Sequence, residues 1–421
     1  MNWAYSYFFV PIALFLLKIA ALFSEKLKLF IDVRVGLLER WRKADLGKNP
    51  IWFHVSSVGE LEQIRPVLEM LSKQNEFSLV LSYYSISVPR LVKDWSFVRY
   101  ADYLPLDSLA EMHELMAIIH PRLLVLNRYD LWPNHLRAAQ HLNVPIALVN
   151  ASTPPLGFFG YWSLRVRRTL FWRIDFWTYV DSNAASAWEP FVRRDVKGLV
   201  AGNPRVDRAL ERVKPSEKQA LLREKILGWE KKQLIVAGST WKEDELLLLN
   251  SFSILQKKFP NLGLLLVPHE PEESHLKDLE KLCSDRGIDS ARFSSLRAGA
   301  AVHIVDARGY LAELYALARV AYVGGGFGRE VHSVIEPLAH GLPVAFGPHH
   351  HRSPEAETLL AMKSAFVACE RGAPELAEWL ETMLLDSEAS ARARESLRVY
   401  LGIHRGAGQR IGDFLLGCLR N

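Results

Sequence analysis

Cysteine is scarce: Cys283, Cys369 and Cys418 are the only three in 421 residues. Three scattered thiols build neither a disulfide framework nor a zinc knuckle, and they suit a reducing, cytosol-facing compartment. A strong charge of one sign is also missing. The 52 Lys and Arg against 47 Asp and Glu leave a formal +5, too small an excess for the concentrated basic face of a nucleic-acid binder. Low-complexity tracts and short-period repeats are absent. The apolar run at the amino terminus, YFFVPIALFLLKIAALF from Tyr7 to Phe23, is interrupted by Pro11 and Lys18. It falls slightly short of the roughly 20 residues of a full membrane span. No basic residue precedes it and no small-residue cleavage pattern follows, which argues against a cleavable signal peptide.

Apolar material is plentiful: 49% of residues are hydrophobic and 24% charged, the balance of a globular chain. The length suits two domains of about 200 residues each. Twelve Trp and 20 Phe fit a large apolar surface to bury or a membrane to touch. After the first run comes SEKLKLFIDVRVGLLERWRK (24–43), an amphipathic, basic helical pattern suited to an anionic bilayer face. Residues 1–25 are therefore expected to anchor the chain on the cytoplasmic side of a membrane. A buried first helix is the alternative.

Short apolar runs then alternate with helical patterns: IWFHV (51–55), FSLVLSY (77–83), RLLVLN (122–127), PIALVN (145–150) and FWTYV (176–180). Uninterrupted runs of that length fit strands buried on both faces, as in parallel sheets. Between them, Glu60–Gln74 places Leu61, Ile64, Val67, Leu68 and Leu71 on one helix face. The pattern restarts with QLIVAGS (233–239), LGLLLVP (262–268), AVHIVD (301–306), RVAYVGGG (319–326) and LPVAFGP (342–348). This order predicts an α/β chain of two Rossmann-like domains facing across a cleft, with a polar hinge around 211–219. Ligands in such sheets bind beyond the carboxyl ends of the strands.

Several turns at those ends carry chemistry. In HVSSVGE (54–60), Ser57 and Glu60 match a capping box, yet Glu60 on a helix amino terminus could equally serve as a general base. RYDLWPN (128–134) sets Asp130, Trp132 and Asn134 past a strand, a set that could bind a sugar or form a packed loop. Arg205 in GNPRVD (202–207) is either a surface charge or a contact for phosphate. GSTWKE (238–243) puts Ser239 and Thr240 at a strand end, with Thr240 and Glu243 forming a second possible capping box. In GGGFGREVHSVIEP (324–337), Gly324, Gly325 and Gly326 permit a backbone loop around a phosphate, and the Ser333–Glu336 segment opens a helix toward it. This is neither GxGxxG nor a Walker loop, since no Gly-Lys-Ser/Thr follows; Glu336 suits a ribose hydroxyl pair. GPHHHRS (347–353) invites a metal reading, but three adjacent histidines do not easily share one ion, and a loop is preferred.

Taken together, HVSSVGE, DLWPN, GNPRVD, AGSTWKEDE, VPHEPE, YVGGGFGREVHSVIEP and PVAFGPH resemble, in order and spacing, the Kdo transferases. Those bacterial enzymes attach 3-deoxy-D-manno-octulosonic acid (Kdo) to lipid A precursors. The resemblance covers nearly the whole chain. It implies a GT-B fold, CMP-Kdo as donor, and a place on the cytoplasmic face of the inner membrane; no metal or other cofactor is expected if helix dipoles and Arg supply the positive field. The implied division is a 1–25 anchor, a 26–212 acceptor domain and a 213–421 nucleotide-sugar domain. Glu60 falls where the family has its catalytic base. Asp130 stands at a family Glu and Arg205 at a family Lys, both supporting the transition state. Pro268 and His269 fall at a nucleotide-contacting Pro-Arg, and Arg308, Gly309 and Tyr310 at a loop ending Gly-Glu. Ser333, Val334, Ile335 and Glu336 fall at Asn-Pro-Leu-Glu. His269, Tyr310, Ser333 and Arg128 depart from the family's residue types.

The expected reaction is inverting transfer of Kdo from CMP-Kdo to a lipid A precursor, in lipopolysaccharide core synthesis. Glu60 deprotonates the acceptor, while the glycine loop (with Ser239 and Thr240), Ser333 and Arg205 stabilise the leaving phosphate. Arg165, Arg167 and Arg168 could meet the acceptor's phosphates. A GT-B enzyme using a UDP-sugar and a catalytically inactive membrane-bound homologue are the alternatives.

Overall fold

Apolar runs flanked by turn residues become central strands because both their faces are covered, so each side chain finds a partner off the sheet. A computed structural model describes residues 2–128, 130–154, 168–214, 219–222, 233–295, 297–328, 330–369, 371–385 and 387–420. The chain forms two compact units, Met1–Arg208 with His404–Asn421, and Ala209–Ile403.

The first unit is built on β1 (Ile51–Val55), β2 (Leu79–Tyr83), β3 (Tyr100–Tyr103), β4 (Leu123–Asn127), β5 (Ile146–Ala151), β6 (Phe176–Tyr179) and β7 (Lys197–Val200). All pairs are parallel and the order is β3-β2-β1-β4-β5-β6-β7. Strand order reverses at β1, between β2 and β4, which opens a crevice above the carboxyl ends of β1 and β4. The second unit holds β8 (Gln233–Thr240), β9 (Leu262–Pro268), β10 (Ser290–Arg292), β11 (Val302–Ile304), β12 (Val320–Val323), β13 (Val344–Phe346) and β14 (Ala365–Val367). It is again a seven-stranded parallel sheet, in the order β10-β11-β9-β8-β12-β13-β14. Its reversal falls between β8 and β12, so the Ser239 turn and the glycine turn share one crevice.

Ten strands lie where the apolar runs predict them. The four that sequence does not reveal, β3, β7, β10 and β14, are the four sheet edges. An edge strand is covered on fewer sides; β7 is mostly exposed and β10 and β14 are half-buried throughout, so β3, β7 and β10 mix polar with apolar residues and β14 is an apolar run of only three.

Two expectations are corrected. The second domain does not run to the carboxyl terminus. Helix Ala407–Arg420 belongs to the first unit, where Gly408 lies so close to Pro66 that an added Cβ would come within 2.6 Å of its ring. Asp207 fixes the approach by accepting the amides of Gly406 and Gly408 at 2.6 and 2.7 Å. The basic stretch at 24–43 is also not wholly a lipid face. Arg34 donates to the carbonyls of Phe30, Tyr84 and Leu104, Arg40 clamps Asp102 at 2.7 and 3.1 Å, and Trp41 is fully buried.

The amino-terminal run is helical: Asn2–Ala4, a π-helical turn Tyr5–Phe9, then Val10–Ala21 with Pro11 in its first turn. No helix among the described residues is long and apolar enough to cross a membrane, so a spanning anchor helix is not found. The segment is pinned at one end by Tyr5 Oη, which donates to Asp107 at 2.9 Å, and by Ser6, which donates to Asn134 and accepts from Arg137. Most of its large apolar side chains point outward, from Trp3 at 62% exposure to Phe23 at 85%.

Candidate active site

The crevice at the first sheet's reversal collects the residues singled out in HVSSVGE and RYDLWPN. Ser57 caps helix Val58–Leu71, its Oγ accepting the Glu60 amide at 3.3 Å. The Glu60 carboxylate reaches back as a capping glutamate does, but to Ser56 N at 2.6 Å rather than to Ser57. That bond occupies Oε2; Oε1 accepts no hydrogen bond among the described residues. Burial raises the Glu60 pKa above its ordinary value, against the Ser56 amide and with help from the negative charge of Asp130. A carboxylate with one open oxygen and a raised proton affinity is what a general base needs.

Asp130 joins this group from beyond the carboxyl end of the neighbouring parallel strand, β4. Ser56 Oγ donates to Asp130 Oδ2, and His54 Nε2 lies 3.4 Å from the same oxygen. Although burial pushes the Asp130 carboxyl up, the hydrogen bonds and charge of His54, Ser56 and Trp132 outweigh it and hold the pKa low. The His54 ring is oriented from behind, Nδ1 lying 2.9 Å from Ser82 Oγ, which in turn accepts Trp52 Nε1 at 2.8 Å. Two carboxyls thus sit side by side with their proton affinities pushed apart, one toward proton acceptance and one toward a fixed negative charge.

A chain of buried amides, which sequence reasoning missed, carries this site toward Arg205. Asn150 Nδ2 donates to Asn127 Oδ1 at 2.8 Å, Asn127 Nδ2 to Gln63 Oε1 at 3.3 Å, and Gln63 Nε2 to Asn203 Oδ1 at 3.4 Å. Asn203 Oδ1 also accepts the Arg205 amide at 3.1 Å, fixing the first turn of helix Pro204–Arg212. The only sequence signal is the polar residue ending an apolar strand at Asn127 and Asn150. Arg128 and Asn150 both hold left-handed backbone conformations, φ 59° each, the local strain that clusters at functional sites. Arg128 lowers the Glu60 pKa through its charge. Of the arginines proposed for the acceptor, Arg165 and Arg167 lie outside the described residues; Arg168 stacks on Trp172, 4.7 Å from the ring centroid.

In the second unit the glycine turn is organised by a residue the sequence pattern did not flag. Asp244 accepts Gly325 N at 2.9 Å, Trp241 N at 3.0 Å and Tyr322 Oη at 2.7 Å. The helix therefore runs Lys242–Lys258 with Trp241 at its cap and Asp244 as the reach-back acid. The expected Thr240–Glu243 pair is displaced by one residue, and Thr240 Oγ1 donates to Glu245 instead, at 2.9 Å. Gly324 N donates to Gly238 O at 2.9 Å. Two amides of the expected phosphate loop are thus engaged by the protein itself. Gly324 is glycine for another reason: a Cβ there would lie 2.4 Å from Ser239 O. Ser239, at φ 54°, makes this close approach possible.

Pro268 ends β9, and His269 beyond it stacks between Trp241 and His332 at centroid distances of 4.9 and 4.4 Å. Trp241 Nε1 donates to His332 Nε2 at 3.2 Å, closing the triad of rings. Ser333 is exposed, Val334 and Ile335 are buried, and the following helix is only Ile335–Ala339, starting two residues later than expected. Glu336 accepts from Arg212 Nη1 at 3.0 Å. Glu336 and Gly309 both line a cavity of ≈ 580 Å³ with Arg212, Lys214 and Leu311. Arg308 is exposed and Tyr310 caps helix Leu311–Leu314. The structure thus separates the predicted nucleotide residues into a ring stack around His269 and a cavity around Glu336.

The two sheets define an α/β protein of GT-B-like architecture. UDP-GlcNAc 2-epimerase from Neisseria meningitidis matches with a TM-score of 0.62 over 87% of this chain and 100% of its own, at 16% identity. A Listeria monocytogenes protein described as a UDP-N-acetylglucosamine 2-epimerase matches with a TM-score of 0.61 over 87% and 95%, at 12%. At such identities the likeness speaks for the fold alone. The sequence relatives go further. A family profile described as 3-deoxy-D-manno-octulosonic-acid transferase matches residues 31–208. The 3-deoxy-D-manno-octulosonic acid transferase of Chlamydophila psittaci is 30% identical over 78% of this chain and 77% of its own. That of Haemophilus influenzae is 26% identical over 87% and 86%. The chain belongs to the Kdo transferase family of glycosyltransferases.

Proposed function

We propose that the protein transfers Kdo from CMP-Kdo to a lipid A precursor in lipopolysaccharide synthesis. The observation that carries this reading is Glu60 in the family's base position, half-buried, with its proton affinity raised and one carboxylate oxygen open. Glu60 takes the proton of an acceptor hydroxyl as that oxygen attacks the anomeric carbon of Kdo. The bond from that carbon to the phosphate oxygen breaks, and CMP leaves with the electron pair. Asp130, held ionised, supports positive charge developing on the sugar, and Arg205 the departing phosphate. On the donor side, Glu336 and Gly309 line a cavity of a size that suits a nucleoside, with Arg308 and Tyr310 the chain neighbours of Gly309. The His269 stack offers aromatic faces at the end of β9. Ser239 and Gly326 remain as phosphate neighbours, while Thr240 is buried with its hydroxyl on Glu245.

The exposed apolar face from Trp3 to Phe23 supports attachment to the cytoplasmic face of the inner membrane as a helix lying in the interface rather than crossing it. Incubating the protein with a lipid A precursor and CMP-Kdo generated in situ tests the reading by mass spectrometry. An acceptor heavier by one or more Kdo residues is expected. An unmodified acceptor, with CMP-Kdo still present, contradicts it.

A further inference from the structure

The histidine run after β13 forms a cluster that the transfer reaction does not use. His350 Nδ1 and His351 Nδ1 lie 2.9 and 2.8 Å from the same oxygen, Glu357 Oε1, with ring centroids 4.4 Å apart. Among the described residues this is the one group in which three His, Cys, Asp or Glu side chains bring ligand atoms within 4.8 Å of one another. Glu357 supplies what the run itself lacks. Three adjacent histidines cannot converge on one ion, but two of them and a carboxylate from the next helix can. His349 is occupied elsewhere by its backbone, donating to Gly326 O and accepting from Val331 N, both at 2.8 Å.

The set is held in place before any ion arrives. Ser353 caps helix Pro354–Ala361, its Oγ accepting Ala356 N at 3.3 Å. The same residue donates its amide to His350 O at 2.9 Å and accepts Glu357 N at 3.2 Å, so one residue spaces both ends of the cluster. His350 is buried against Phe346, 5.4 Å between rings. His351 is 79% exposed, which leaves a path for entry from solvent. Without a metal, both Nδ1 atoms must carry protons, because a carboxylate oxygen only accepts. With a metal, those protons sit on Nε2, and each imidazole presents an Nδ1 lone pair beside the carboxylate.

We propose that His350, His351 and Glu357 bind one divalent transition-metal ion of the zinc class. Two imidazoles and a carboxylate are a zinc donor set, and three protein ligands leave a position for water. The ion would tie the histidine turn to helix Pro354–Ala361. That turn begins at Gly347, which packs backbone to backbone on Gly326, where an added Cβ would come within 2.7 Å. Zinc there therefore braces the glycine turn from outside the donor site, without touching the reacting atoms.

The test uses the full chain without any histidine tag, stripped with a chelator, then titrated with zinc chloride by calorimetry. Metal content is read by mass spectrometry after gel filtration. One equivalent of zinc is expected, with a rise in Tm. Glu357→Gln keeps an oxygen to accept from both imidazoles, so its Tm in chelator should match the parent's. Its zinc affinity should fall by roughly 100-fold or more, since loss even of outer partners costs about 10–100-fold. His351→Ala, at an exposed position, should lose zinc likewise. A parent chain that holds no stoichiometric zinc overturns the proposal. So does zinc bound equally well by the parent and both variants, which would place the ion elsewhere.

Discussion

At Glu60 one side chain does two jobs, and their pH dependences differ. As a cap it needs only an acceptor oxygen, as a base it needs the ionised form. Its folded pKa is raised by burial above the ordinary 4.5. Ionisation therefore costs the folded state more than the unfolded chain, and stability present below the unfolded pKa is lost as pH rises through the folded one. Glu60→Gln should accordingly melt at or slightly above the parent temperature at pH 7 and match it near pH 4; a variant melting well below the parent at pH 7 would contradict this. The rate of the parent enzyme should fall on the acid side at a pH above the usual carboxylate range, and an acid limb below pH 4 would show that Glu60 is not the titrating base. Asp244, whose pKa burial also raises, contributes by satisfying three donors at once, the buried ones of Gly325 and Tyr322 and the half-buried amide of Trp241. Asp244→Ala strands the two buried donors, each at about 1–3 kcal/mol, so urea denaturation should show a loss of at least about 2 kcal/mol. A loss under about 1 kcal/mol would mean the glycine turn holds without it. Glu60 was legible because Ser-x-x-Glu follows a strong strand. Asp244 was not, because β8 shifts register between Gly238 and Thr240 at the left-handed Ser239. That extra residue moved the cap by one, and no periodicity announces it.

At the level of elements, the central strands declare themselves through burial on both faces, while β3, β7, β10 and β14 need the sheet beside them to exist. The carboxyl-terminal helix was illegible for a different reason. Its amphipathic pattern says that it docks, but nothing local says on which sheet. The answer lies in small residues meeting across long sequence separation: Gly408 on Pro66, and Gly412 beside Met70. Pro66 sits inside helix Val58–Leu71, the same helix that begins with Glu60, so this docking bears on the site. Gly408→Val forces a side chain against the Pro66 ring and backbone, an overpacking worth about 1–3 kcal/mol. Equilibrium denaturation should register that loss, and parent-like stability would show that Ala407–Arg420 is not seated on this helix.

For the whole molecule, the two parallel sheets were readable from run order, five strands of each, and the family from motifs scattered along both. Membrane attachment was expected from an apolar run; that run forms a helical segment pinned through Tyr5 and Ser6, and no helix among the described residues is long and apolar enough to cross a membrane. Deleting residues 1–25 should release the protein from anionic vesicles in a flotation assay while both sheets stay folded, because β1 begins only at Ile51. Recovery of the truncated chain solely as aggregate would mean that the run is core. The most direct measurement of the catalytic claim sets transfer beside donor binding in the parent and Glu60→Gln. An amide keeps the bond from the Ser56 amide but accepts no proton at neutral pH, and losing a general base typically costs about 10²–10⁴-fold. Kdo transfer to a lipid A precursor should collapse by that factor while the CMP-Kdo dissociation constant stays within about twofold of the parent's. Transfer by Glu60→Gln at close to the parent rate would reduce Glu60 to a helix cap and remove it from the chemistry.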